Sequence, residues 1–137
     1  MKRADLQKLA EQKIEDASLL LANNRFGNAF YLAGYAIEIG LKACISKQII
    51  AQMIPSKQFV DKLYTHEFKA LIGLAGLAQE LQDEQKRDRL FATYWGAVGE
   101  WNEAARYTAT DAATAQLMVQ ATRDTNSGVL RWIRLHW

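Results

Sequence analysis

The sequence predicts an all-α protein, an antiparallel bundle of four main helices with a short fifth helix as an addition. Three observations point there. Pro55 is the single proline among 137 residues, so little in the chain interrupts helix. Runs of Ala, Leu, Gln, Glu and Lys favour helix throughout. Apolar residues recur at spacings of three and four, and no segment alternates apolar and polar in the manner of a half-buried strand. The length suits one domain, 1–137, and a chain of this size buries roughly 68% of the surface its unfolded form exposes. No internal repeat or low-complexity linker divides it.

The first helix runs from about Ala4 to Ala22, with Leu6, Leu9, Ala10, Ile14, Ala17, Leu20 and Leu21 on its apolar side, and Asn23-Asn24 ends it. The second runs from about Phe26 to Gln48 and is followed by a break at Pro55-Ser56-Lys57. Residues Gln58 to Tyr64 supply the short extra helix. Thr65 is the expected N-cap of a third helix with Phe68, Leu71, Ile72 and Ala75 on one face, Glu67 in its first turn and an end near Leu81. A fourth begins around Asp83. It carries Leu90, Phe91, Tyr94, Val98 and Trp101 on one side, an aromatic stripe that reads as core, with Lys86, Arg87 and Arg89 leading its polar approach. Thr110 or Asp111 caps a last helix that reaches almost to Trp137, weakened in its middle by Asn126-Ser127-Gly128. Met118, Ala121, Val129, Trp132 and Ile133 share its inward face; Gln120, Arg123, Arg131 and Arg134 lie on the other.

The second helix holds the unusual pattern. Asn28, Tyr31, Tyr35, Glu38 and Lys42 recur at spacings of three and four, so at 100° per residue they fall within an arc of roughly 80°. Phe26, Phe30, Ala33, Ile37 and Leu41 lie opposite. A helix apolar on nearly all sides belongs at the centre of a bundle, which puts this polar stripe partly inside, where each polar group needs a partner. Arg106, Tyr107 and His66 are the leading candidates. Glu38 and Lys42 stand in the favourable order for an i,i+4 ion pair. If Arg106 also reaches Glu38, the set is a polar lock of the bundle; otherwise Arg106 and Lys42 form a small cleft for a nucleotide or RNA phosphate.

Composition excludes several classes. The net charge of +2, from 17 basic and 15 acidic residues, does not by itself indicate a nucleic-acid binder. Cys44, the single cysteine, has no disulfide partner in the chain and reads as a small core residue in a reducing compartment. The stretch MKRADLQKLAEQK lacks the apolar centre of a secretory signal, and no run of about 18 apolar residues occurs. A cytoplasmic protein with no membrane partner is expected. Two histidines and one cysteine at non-ligand spacing support no metal site. Neither GxSxG nor a glycine-rich phosphate loop occurs. No cofactor is expected.

Three separated segments together resemble one known family. Arg25 to Cys44, RFGNAFYLAGYAIEIGLKAC, is similar to the second helix of HEPN domains, helical modules of prokaryotic toxin-antitoxin systems and nucleotidyltransferase-associated proteins. His66-Glu67-Phe68, with Leu71 and Ala75-Gly76-Leu77, resembles that family's short histidine-acid-apolar segment. Trp101 followed by Arg106-Tyr107 resembles the end of its fourth helix. The resemblance covers about Leu6 to Ile133. It implies a non-catalytic dimeric module that binds RNA or a nucleotide, or that pairs with a nucleotidyltransferase.

Members of the family that cut RNA without a metal use an arginine followed at short distance by a histidine, which Arg131 and His136 match as Arg-x4-His. That resemblance implies the alternative, a metal-independent endoribonuclease toxin. His136 would act as general base or acid and Arg131 would stabilise the phosphorane across a dimer interface. Two features oppose it: Trp132 follows the arginine where a polar residue is usual, and on a continuous helix the two side chains diverge by roughly 140°. Trp132 and Trp137 are also candidates for an oligomer interface.

Overall fold

The computed structural model describes residues 1–137 and is entirely helical, with eight α-helices and one 3-10 helix. Helix α1 spans Arg3–Ala22 and α2 spans Phe26–Ser46. Between them Asn24 takes a left-handed φ of 59°, a conformation asparagine tolerates better than most residues, and the chain reverses into a helical hairpin. Ala10, Ile14 and Ala17 of α1 are buried; these small and branched side chains bring the two axes close together.

Helix α2 is the centre of the fold. It packs against α1, α4, α7, α8 and the 3-10 helix. It is long and apolar enough to cross a bilayer, but 72% of its most apolar window is buried inside the fold. One cluster of 27 buried residues forms the core, drawing Phe30, Ile37, Leu41 and Ile45 from α2 together with Leu71, Phe91, Met118, Leu130, Trp132 and Ile133. Burying side chains of this size contributes about 1.5–3 kcal/mol each.

The remaining helices are shorter than the sequence suggests. The short extra helix is present as α3, Lys57–Leu63, its first turn capped by the Ser56 hydroxyl, which accepts the Phe59 N–H at 3.2 Å. The expected third helix, from Thr65 to near Leu81, is instead α4, Phe68–Ala75. Thr65 is not its cap; its hydroxyl accepts the N–H of Glu67 two residues on. Gly76 stops α4 with a left-handed φ of 71°, which favours glycine for want of a Cβ.

Helix α5 then runs Ala78–Arg87, several residues ahead of the expected start at Asp83. At Asp88 the chain leaves helical geometry, and that carboxylate accepts the N–H groups of Leu90 and Phe91 to start α6, Arg89–Val98. Trp101 lies beyond α6, ahead of the 3-10 helix Glu103–Tyr107. The last segment is also divided, into α7, Ala112–Arg123, and α8, Val129–Arg134. Asp111 caps α7 by accepting the Thr114 N–H at 2.7 Å, and the expected weak point becomes a break in which Asp124 accepts from Ser127. Arg134 ties α8 back to α1 through two bonds to Glu11, 2.5 and 2.7 Å.

One close approach fixes where Trp101 meets α2. The Trp101 indole lies directly against Gly34 of α2, so that a Cβ there would overlap the ring, while its N–H donates to the Tyr31 carbonyl at 3.2 Å. Phe68 stacks on Trp101 with ring centroids 5.2 Å apart and planes 1° from parallel. Gly34→Ala therefore has to displace Trp101, and overpacking of this kind costs about 1–3 kcal/mol. Urea denaturation of that variant should show the loss. Gly73→Ala, whose added methyl group would project into open space, should be neutral or slightly stabilising.

Candidate functional site

The polar stripe of α2 divides into an inner and an outer part. Glu38 is 2% exposed, in the middle of an apolar helix, and its carboxylate is held by two cationic or polarisable partners. The Lys42 ammonium donates to Oε1 at 2.8 Å, one helical turn away. The His66 Nδ1 lies 3.0 Å from both carboxylate oxygens. On its far side the His66 Nε2 lies 3.0 Å from Oε2 of Glu103 in the 3-10 helix. Lys42, Glu38, His66 and Glu103 thus form a continuous charge-assisted chain that joins α2, the segment before α4 and the 3-10 helix.

Arg106 takes no part in it. The expectation that Arg106 reaches Glu38 is corrected: His66 occupies that side of the carboxylate, and Arg106 faces outward from the 3-10 helix, exposed to solvent. The geometry follows from the end of α6 at Val98. Arg106 belongs to a separate short element, the 3-10 helix, and is exposed on it. Its guanidinium lies over the Tyr107 ring at 4.8 Å. The Tyr107 phenol, and after it that of Tyr31, pushes the guanidinium further above its ordinary value. Tyr107 is exposed, as is Asn28, for which no side-chain hydrogen bond forms, so neither belongs to the lock.

Tyr31 and Tyr35, one turn apart on α2, stack with centroids 5.9 Å apart and planes 10° from parallel. Tyr31 continues the stack onto Trp101 at 6.0 Å, and the Lys13 ammonium from α1 sits 5.9 Å from the Tyr35 centroid. Burial, then the Glu38 carboxylate and Tyr31, push the Tyr35 phenol above its usual 10.0, so it remains a neutral donor in ordinary conditions. A half-buried aromatic row flanked by Lys13 and Arg106 results. Lys13 and Glu103 were not legible as members: both depend on which faces of α1 and the 3-10 helix meet α2, and a single sequence carries no register between elements.

Arg131 and His136 stand near the C-terminus, around α5. Helix α8 stops at Arg134, so the two side chains do not follow the continuous helix on which they would diverge. Arg131 donates to Oε1 of Glu84 at 2.7 Å, and Arg87 clamps the same carboxylate through bonds of 3.0 and 2.5 Å. His136 packs edge-on against the Trp132 ring at 5.0 Å. Burial pushes its imidazole below the ordinary 6.5, with Glu80 acting in the opposite direction and Lys47 in the same one. Trp132 is buried in the core and Trp137 packs against it, which removes Trp132 from any interface.

Cys44 is buried, and burial pushes its thiol up to about 11, the state of an inert core residue. No group of three or more His, Cys, Asp or Glu side chains is arranged to hold a metal ion. No family model matches the chain, and no curated protein or solved structure matches it either.

Two outcomes follow from this geometry. Removing both partners of Glu38, as in Lys42→Met with His66→Phe, strands a buried carboxylate and costs about 3–5 kcal/mol. Glu38→Gln leaves two partly exposed partners that can turn to water and costs about 1–2 kcal/mol; urea denaturation separates the two. At Glu84, the hydrogen bond from Arg87 outweighs burial and, with that from Arg131, holds the carboxyl below its usual 4.5. The native state therefore stays ionised where the unfolded chain takes up a proton. Its stabilising effect is complete above about pH 4.5 and is lost as pH falls through the depressed native value. Glu84→Gln should lower stability at neutral pH and flatten the acid limb of a stability-versus-pH curve; an unchanged limb would contradict the assignment.

Proposed function

We propose that this chain is a HEPN-like, non-catalytic helical module of the cytoplasm that binds RNA or a nucleotide through the outer part of the α2 stripe. The observation that carries this reading is the aromatic row of Tyr31 and Tyr35 flanked by Lys13 and Arg106. Half-exposed tyrosine rings offer faces on which bases stack, worth about 1–3 kcal/mol per base. Arg106, free of any carboxylate partner, supplies the planar donor fork that suits phosphate oxygens. The inner lock keeps the row in place: Glu38 and His66 tie α2 to Glu103, four residues from Tyr107 along the chain.

The family resemblance of the second helix, of the His66 segment and of Trp101 with Arg106-Tyr107 supports the same reading. With it comes the expectation of a dimer and of a nucleotidyltransferase partner. In this view α1, α2, α6 and α7 are the four antiparallel main helices. Packing of α1 on α2, of α7 on both, and of α6 on α7 supports it, the shorter helices being additions.

A second reading, a metal-independent endoribonuclease using Arg131 and His136, draws on one observation: the end of α8 at Arg134 frees the pair from the continuous helix on which they would diverge, and Arg131 is held by Glu84. The same contact opposes it, since the Arg131 guanidinium is engaged by Glu84, a carboxylate it shares with Arg87, and Trp132, the residue after Arg131, lies in the core.

Arg106→Ala should leave the thermal melting temperature unchanged while lowering affinity for a single-stranded RNA oligonucleotide by roughly tenfold or more, measured by fluorescence anisotropy. A sharp fall in melting temperature would instead return Arg106 to the lock. The nuclease reading predicts that pure protein cleaves RNA in chelator and that His136→Ala abolishes it; intact RNA with both proteins removes it.

A further inference from the structure

The connection between α2 and α3 exposes a run of large apolar side chains that the core does not use. Ile49, Ile50, Met53 and Ile54 are 44, 63, 51 and 94% exposed. The segment is not helical, and Gln52 turns it with a left-handed φ of 72°, so these side chains splay from a protruding turn. Contiguous exposed apolar residues on a soluble fold mark a contact surface.

The charge along this turn is of one sign. Residues 43–60 contain Lys47 and Lys57 and no carboxylate. The start of α1 adjoins them, Lys2 and Arg3 lining one hollow with Lys47, Ile49 and Ile50. Lys47 donates to the His136 carbonyl at 2.9 Å, a neutral partner that leaves its charge intact. The acidic residues closest along the chain are Glu38, which is held by Lys42 and His66, and Asp61 of α3; Asp5, beside Lys2 and Arg3, accepts the Lys2 backbone N–H at 3.0 Å. On the far side of α1's start, Tyr64 is exposed beside Leu63 and Ile49.

We propose that this turn is a peripheral membrane contact, in which Ile50, Met53 and Ile54 enter the headgroup boundary of an anionic bilayer while Lys2, Arg3, Lys47 and Lys57 meet its phosphates. An apolar tip ringed by cations is the arrangement that binds such surfaces, area and charge acting together. A second copy of the chain is a poor occupant. An isologous contact would set the same cations against one another, and a few side chains on a protruding turn fall short of the roughly 800 Å² per partner that stable interfaces bury. Nucleic acid would use the cations but leave the isoleucines in water. The contact differs from a membrane span, since α2 remains buried in the fold, and it revises the expectation of no membrane partner.

Co-sedimentation of the full chain with vesicles of phosphatidylcholine alone and of phosphatidylcholine mixed with phosphatidylglycerol tests this. The anionic vesicles should bind the protein, the neutral ones should not, and added salt should weaken the binding. Ile50→Ser with Ile54→Ser should reduce it by roughly tenfold or more, and Lys47→Gln with Lys57→Gln should reduce it as well, with thermal melting unchanged because these side chains are exposed. Absence of binding to the anionic vesicles overturns the proposal. So does equal binding of the isoleucine variant, which would mean adsorption by charge alone, and so does a dimer in light scattering that the isoleucine variant dissolves. Arg106→Ala, which removes the cation beside the aromatic row, should bind vesicles normally.

Discussion

The structure depends on a carboxylate placed where carboxylates are unstable. Glu38 lies buried within the central helix of the protein, and a lone charge there would be strongly disfavoured. Its tolerance requires that Lys42 and His66 both be present and both be correctly placed. Lys42 comes from the same helix and needs no tertiary structure. His66 comes from a distant segment, so its contact forms only when the chain between α2 and α4 has folded back. The buried carboxylate thereby selects one packing of α4 against α2, and through the His66 contact with Glu103 it selects the position of the 3-10 helix too.

That arrangement separates two tasks that share one helix face. The inner residues, Glu38 and Lys42, are occupied by the lock. The outer ones, Tyr31 and Tyr35, form a stack that continues onto Trp101 and reaches solvent beside Arg106 and Lys13. A carboxylate paired twice over has little capacity left for a ligand, while an arginine lying on a tyrosine ring keeps its charge unneutralised. On the function proposed above, recognition falls to the outer row and rigidity to the inner chain, since stacking faces are effective only when held still.

The all-helical character was legible because helical periodicity is a local property. The boundaries of α1 and α2, the short helix after Pro55 and the Asp111 cap all follow from residues within a few positions of each other. The breaks at Gly76 and Asp88 were not, because the surrounding propensities favour helix and a single glycine or aspartate is tolerated in many helices. At Asp88 the deciding interaction is distant: its second oxygen accepts the Ser127 hydroxyl at 2.7 Å, which no local pattern reveals. The same limit governed the site. The five stripe residues share one helix and could be read together, and His66 was legible among their candidate partners. The outward position of Arg106, like the roles of Lys13 and Glu103, depended on how separate elements meet.

Coupling of Glu38 to His66, and not to Arg106, is what holds this architecture in one arrangement. Double-mutant cycles read by urea denaturation measure it directly, pairing Glu38→Gln with His66→Phe in one cycle and with Arg106→Ala in the other. A coupling of about 1–3 kcal/mol is predicted in the first cycle and additivity, within about 0.5 kcal/mol, in the second. Additivity in the first cycle, or strong coupling in the second, would contradict it.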